Sequence, residues 1–101
     1  LTIRATNRFL KDVKLARKRG KEIDKLEHIV NMLQSEQPLL RKNRDHALSG
    51  NWKSHRECHI EPDWLLIYQT QTGVLILERT GSHSDLLASQ KSEEIKKSSH
   101  A

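Results

Sequence analysis

The chain has 101 residues, a net charge of +5 with histidine counted neutral, and a sequence pI of about 9.6. With 35% apolar and 31% charged residues it supports one domain with a modest core. There is no apolar run long enough to span a bilayer, no signal peptide, and one cysteine, Cys58, which excludes an internal disulfide and fits a reducing cytoplasm. A small basic domain of this kind points to a polyanionic partner, commonly nucleic acid.

At the start of the chain, Leu1, Ile3 and Ala5 alternate with Thr2 and Arg4, a period of two that predicts a short strand. Thr6 or Asn7 then caps a helix from Phe9 to about Arg19, with Phe9, Leu10, Val13 and Ala16 as its apolar stripe. Lys11, Lys14, Lys18 and Lys21 follow at helical spacing on another face, a stripe that suits a phosphate backbone or simply solvent. Gly20 ends the helix. A second helix runs from about Glu22 to Ser35 on Ile23, Leu26, Ile29, Val30 and Leu33, so the pair reads as an antiparallel helical hairpin. Pro38 opens a long basic loop, Gln37 to Asn51, that carries Arg41, Lys42, Arg44 and His46.

Three strands follow. Trp52 to Ile60 alternates, with Trp52, Ser54, Arg56, Cys58 and Ile60 on one face and Lys53, His55, Glu57 and His59 on the other. Glu61-Pro62-Asp63 is a turn, and Trp64 to Thr70 is almost wholly apolar, as a central strand should be. Val74 to Thr80 is the last strand, and Gly81-Ser82 turns the chain to present His83. From Ala88 the chain is polar and rich in serine and lysine, so a domain over residues 1–87 and a disordered tail over 88–101 are expected. The order β-α-α-β-β-β predicts an α+β domain, two helices on one face of a small, mainly antiparallel sheet. Trp52, Trp64 and Tyr68 read as core residues; for the two tryptophans a base-stacking role is the alternative, and Trp64 is kept among the candidate RNA contacts.

Clustered His55, Cys58 and His59 raise the question of zinc. On a strand, residues four apart stand about 13 Å from one another, far beyond the reach of one ion with bonds of about 2 Å, and Cys58 points to the other face. The other chemistry open to these residue types is metal-free RNA cleavage. A ribonucleotide supplies its own nucleophile, the 2′-OH. The protein must supply a base, an acid and cations for the charge that builds on phosphorus. His46, His59, Asp63, Arg79 and His83 are of the right types: imidazoles titrate near neutrality, and guanidinium matches phosphate.

The runs DHALSGNWKSHRECHIEPDWLLIYQ and LERTGSHSDL, with KDVKLARKRG before them, resemble the YafQ branch of the RelE-like bacterial toxins over roughly Phe9 to Leu87. The resemblance implies a RelE-like fold and a metal-independent, cofactor-free endoribonuclease. Such an enzyme cuts translated messenger RNA in the ribosomal A site, beside 16S rRNA, at adenine-rich, lysine-type codons. It also implies a cognate antitoxin that silences the toxin and, with it, binds operator DNA. By motif, the implied catalytic residues are His46, His59, Asp63, Arg79 and His83. His83 would serve as acid, Asp63 with His46 or His59 as base, and Arg79 as the group that stabilises the phosphorane. Lys11, Lys14, Lys18, Arg41, Lys42, Arg44, Trp64 and Leu87 are the expected RNA contacts. Leu87 departs from the branch, which commonly has an aromatic there. A weakly active or non-catalytic RNA- or ribosome-binding module is therefore the alternative.

Overall fold

The structure, a computed structural model, describes residues 1–86. The expectations for Leu87 and for the tail over 88–101 lie outside the described residues. Strand β1 (Thr2–Ala5) leads into helices α1 (Asn7–Lys18) and α2 (Ile23–Gln34); a 3-10 turn (Arg41–Asn43) and the two-residue strand β2 (His46–Ala47) follow. A second 3-10 turn (Gly50–Trp52) precedes the meander β3 (Arg56–Glu61), β4 (Trp64–Gln71) and β5 (Val74–Gly81). The sheet order is β1-β5-β4-β3-β2, with β1 parallel to β5 and the other neighbours antiparallel. This is the expected α+β architecture.

Thr6 starts α1 as the helical signal requires. Its hydroxyl accepts from Phe9 N (3.0 Å) and donates to Glu78 O (2.9 Å), so the cap also ties the helix to β5. Phe9 and Ala16 of α1 and Leu26 and Ile29 of α2 are buried against one face of the sheet. Leu10 is not: it is 50% exposed, because Phe9, Val13 and Ala16 already fill the stripe that meets the sheet.

β4 explains its own sequence. Trp64, Leu66 and Tyr68 join Cys58, Leu75 and Leu77 beneath the helices, while Leu65 and Ile67 pack on the other face with Leu86, Leu48 and Trp52. A strand covered on both faces has no polar alternation to show. The strand expected from Trp52 begins only at Arg56. Ser54 adopts a left-handed conformation (φ 77°) that an extended strand cannot hold, so Trp52 sits in a turn, where its ring meets His55 edge-on at 5.2 Å. The basic loop is tied to the sheet and carries a short strand of its own. Asp45 accepts from Tyr68 Oη (2.6 Å) and Arg56 Nε (3.2 Å), and β2 pairs His46 opposite Glu57.

Candidate active site

The β2–β3 register builds the first half of the site. His46 stands opposite Glu57, and His59 lies two residues further along β3, so all three side chains share the face of the sheet that the helices leave uncovered. Nε2 of His46 and Nε2 of His59 each lie 3.6 Å from Glu57 Oε1. Glu57 is 3% and His59 8% exposed, whereas His46 is open to solvent. The other carboxylate oxygen, Oε2, is buried with no hydrogen-bond partner.

The second half comes from two turns. Asp63 occupies the tight turn between β3 and β4, and His83 follows the end of β5. Asp63 Oδ1 accepts from His83 N at 3.0 Å and lies 2.7 Å from His83 Nδ1. A carboxylate oxygen accepts, so Nδ1 carries the hydrogen and Nε2 is left outward for a ligand. The His83 ring meets His59 edge-on, centroids 5.5 Å apart, which closes the two halves into one cluster. The two bonds from His83, that of its backbone N–H first, hold the Asp63 carboxyl below its ordinary pKa. Asp63 is thereby a poorer proton acceptor than a free carboxylate, and its geometry is that of an orienting partner.

The basic turn is locked to this cluster. Asn43, buried, donates Nδ2–H to His59 O at 2.8 Å. Arg44 then adopts a left-handed conformation (φ 48°, ψ 45°), which aims its carbonyl at His46 Nδ1, 2.6 Å away. A carbonyl only accepts, so Nδ1 carries the hydrogen and Nε2 is the atom facing Glu57.

Four of the five expected catalytic residues therefore meet: His46, His59, Asp63 and His83. Arg79 does not join them. Its guanidinium donates Nε–H to Asp12 Oδ2 (2.7 Å) and Nη2–H to Asp12 Oδ1 (3.1 Å), and Thr80 N also donates to Asp12 Oδ2 (3.1 Å). Where β1 has ended, Asp12 caps the open edge of β5 and neutralises the arginine. Arg79 and Asp63 instead share the wall of a cavity of about 220 Å³ near α1, with Arg19 and Lys21.

Trp64 as an RNA contact is corrected. It is 1% exposed, and its indole N–H is spent on Thr80 Oγ1 at 2.9 Å, so it offers no face to a base. Lys11, Lys14 and Lys18 are exposed, but α1 covers the opposite face of the sheet from the histidines and brings none of them to the cluster. Arg41, Lys42 and Arg44 are exposed on the turn that Asn43 pins. Glu57 alternates in phase with His59 but no motif marks it out, and Asn43 and Asp12 carry no local signal at all.

The expected separation of the zinc candidates holds. Cys58 is fully buried among the apolar residues under the helices, where burial pushes its thiol up to about 12, and His55 turns to Glu78 (3.3 Å). A different trio can hold a metal ion: single ligand atoms of Glu57, His59 and His83 lie within 4.8 Å of one another. Two nitrogens and a carboxylate oxygen are a donor set suited to a divalent transition metal.

This fold, with a histidine–carboxylate cluster at the open end of its sheet, is that of a RelE-like toxin. Residues 1–88 match the family described as bacterial toxin of type II toxin-antitoxin system, YafQ, and the chain belongs to that family. It is 44% identical over 85 residues to the mRNA interferase toxin YafQ of Escherichia coli, spanning 83% of this chain and 92% of that protein. The putative toxin YafQ of Haemophilus influenzae is 35% identical over 72 residues, 68% of this chain and 71% of that one. Among solved structures, YafQ from E. coli superposes with a TM-score of 0.80 at 42% identity, covering 83% of this chain and 94% of that one. The toxin in an E. coli DinJ-YafQ toxin-antitoxin complex gives 0.77 at 44%, with coverages of 83% and 93%. A metal-bound toxin from Helicobacter pylori gives 0.81 at 45%, with coverages of 85% and 98%.

Proposed function

We propose that this chain is an endoribonuclease toxin that cleaves messenger RNA by acid–base catalysis without a metal. The observation that carries the reading is the cluster itself. A buried carboxylate stands between two imidazoles, and a third imidazole is oriented by Asp63 and exposed at Nε2, in a family whose E. coli member is an mRNA interferase toxin.

In the reaction, the 2′-OH gives its proton to His46 or His59, Glu57 holding both rings. The freed oxygen bonds to phosphorus. The P–O5′ bond breaks and the departing oxygen takes a proton from His83, so the products are a 2′,3′-cyclic phosphate and a 5′-hydroxyl. Asp63 fixes the His83 ring for that transfer. Because Asp12 already occupies its Nε and Nη2, Arg79 meets the phosphate charge only with its remaining Nη1 edge.

The target is messenger RNA in the A site of a translating ribosome, at adenine-rich, lysine-type codons, with the exposed lysines of α1 against ribosomal RNA. Resemblance to the toxin branch supports this part, and so do the exposed charges of Lys11, Lys14 and Lys18, which have no ion-pair partner among the described residues. A cognate antitoxin silences the toxin, as the DinJ-YafQ complexes suggest, and the pair binds operator DNA. The domain is the part over residues 1–87 and acts in the cytoplasm; among the described residues no helix is long and apolar enough to cross a membrane.

The test is to add the purified protein to translating ribosomes with excess chelator and map the ends of the cut messenger. Cuts within adenine-rich codons, bearing cyclic phosphate, are expected. Uncut messenger overturns the enzymatic reading and favours a module that only binds; cuts that need a divalent ion overturn the metal-free one.

A further inference from the structure

Two clefts meet at Asn43 and Ile60, and the inner one reaches His59. The outer one, about 330 Å³, lies between α2 and the loop after it and is floored by Ile29, Met32, Leu40 and Ile60. The inner one, about 430 Å³, runs past Arg44 to His59 and Pro62. They share Lys25, Lys42, Asn43 and Ile60 as walls and so form one groove. Leu40 is 58% exposed at its lip, an apolar side chain that the core does not use.

The order of chemistry along this groove is apolar floor, then cations, then His59. Lys25 is largely spent on Glu61 at 2.9 Å. Lys42 and Arg44 have no ion-pair partner among the described residues and stand between the apolar floor and His59. The buried Asn43 bond to His59 O fixes both to the strand that carries the imidazole, so the track exists before any ligand arrives. We infer that the groove is a single-stranded RNA subsite. The nucleotide next to the cleaved phosphate lays its base on Met32 and Leu40, and Lys42 and Arg44 hold the intervening phosphate. A nucleotide alternates a flat apolar base with an anion, and the groove alternates in the same way. Continuity with His59, which lines the inner cleft, favours RNA over an acidic peptide, which would need the apolar floor and the cations but no continuity with that strand. This rests on the proposed RNA cleavage and adds what places the strand.

The experiment uses the full chain on translating ribosomes, comparing wild type with a Leu40→Ser, Lys42→Glu double variant. Both positions are exposed, so the fold is expected to survive. KM should rise about tenfold, the equivalent of about 1.4 kcal/mol, with kcat within about twofold. The dependence of KM on salt should fall by about one phosphate contact, and affinity for the antitoxin should not change. An unchanged KM overturns the inference while leaving the cleavage reading in place. So does a loss of antitoxin affinity with KM unchanged, which would assign the groove to the antitoxin. A wild-type protein that cuts nothing overturns the cleavage reading itself, and the inference with it. If the double variant melts early, Lys42→Glu alone is read by the same criteria.

Discussion

Glu57 Oε1 lies 3.6 Å from Nε2 of His59, and both side chains are buried. A carboxylate is hard to keep there: its second oxygen has no partner, and a buried unpaired polar group costs about 1–3 kcal/mol. Such a residue persists where activity needs it. Glu57→Gln keeps the shape and removes the charge between the two imidazoles. Cleavage should drop about a hundredfold, with a changed pH–rate profile. Glu57→Leu should lose activity similarly and melt no earlier, or several degrees later, than wild type. A Leu variant that melts well below wild type would mean that the carboxylate serves the fold.

The Asp63–His83 pair gives a pH signature with a definite sign. Asp63 has a folded pKa below its unfolded one, so near and below about pH 4 the unfolded chain binds more protons. The contribution of Asp63 to stability is full above the unfolded value and is lost as pH falls through the lowered folded one. The melting difference between wild type and Asp63→Asn should therefore be constant above about pH 5 and shrink below about pH 4. His83→Ala should remove most cleavage and shrink that pH-dependent difference without abolishing it, because the backbone N–H of residue 83 still donates to Asp63 Oδ1. A difference that instead appears only above neutrality would refute the pairing.

The fold was legible where one rule acted alone. The two helical stripes, the apolar run Trp64 to Tyr68 and the turn signals gave the layers and the meander. Legibility failed where a single residue's backbone overrode the pattern. The alternation from Trp52 looked like strand, but left-handed Ser54 breaks it, and β2 is two residues long because its purpose is to hold His46 opposite Glu57. In the site, the residue types that carry protons announced themselves. Those that hold them did not, because Asn43, Asp12 and Glu57 act through partners 16, 67 and 2 positions away, and only the register reveals those distances.

The trio Glu57, His59 and His83 makes metal an antagonist in this mechanism. An ion held by all three would take the lone pairs that the acid and base use, and would displace their protons. Zinc or copper(II) should therefore bind one ion per chain and suppress cleavage, with chelator restoring it. His83→Gln should weaken the binding at least tenfold. Cleavage stimulated by added metal would reverse the assignment and make the ion a participant.

Arg44 shows stability and function set against each other at one residue. Its left-handed backbone costs a non-glycine residue about 1–2 kcal/mol. The conformation is what directs the Arg44 carbonyl to His46 Nδ1, and Asn43 holds the turn from the other side. Glycine adopts that conformation without the steric cost, so Arg44→Gly keeps the carbonyl in place and loses only the guanidinium. Its melting temperature should equal or exceed that of wild type, its kcat should hold within a few-fold, and its KM for messenger RNA should rise. Asn43→Ala should do the reverse: it frees the turn, lowers the melting temperature by several degrees, and reduces kcat as His46 loses its fixed tautomer. If the two variants shift kcat and KM alike, the turn acts only as a charged surface and does not position His46.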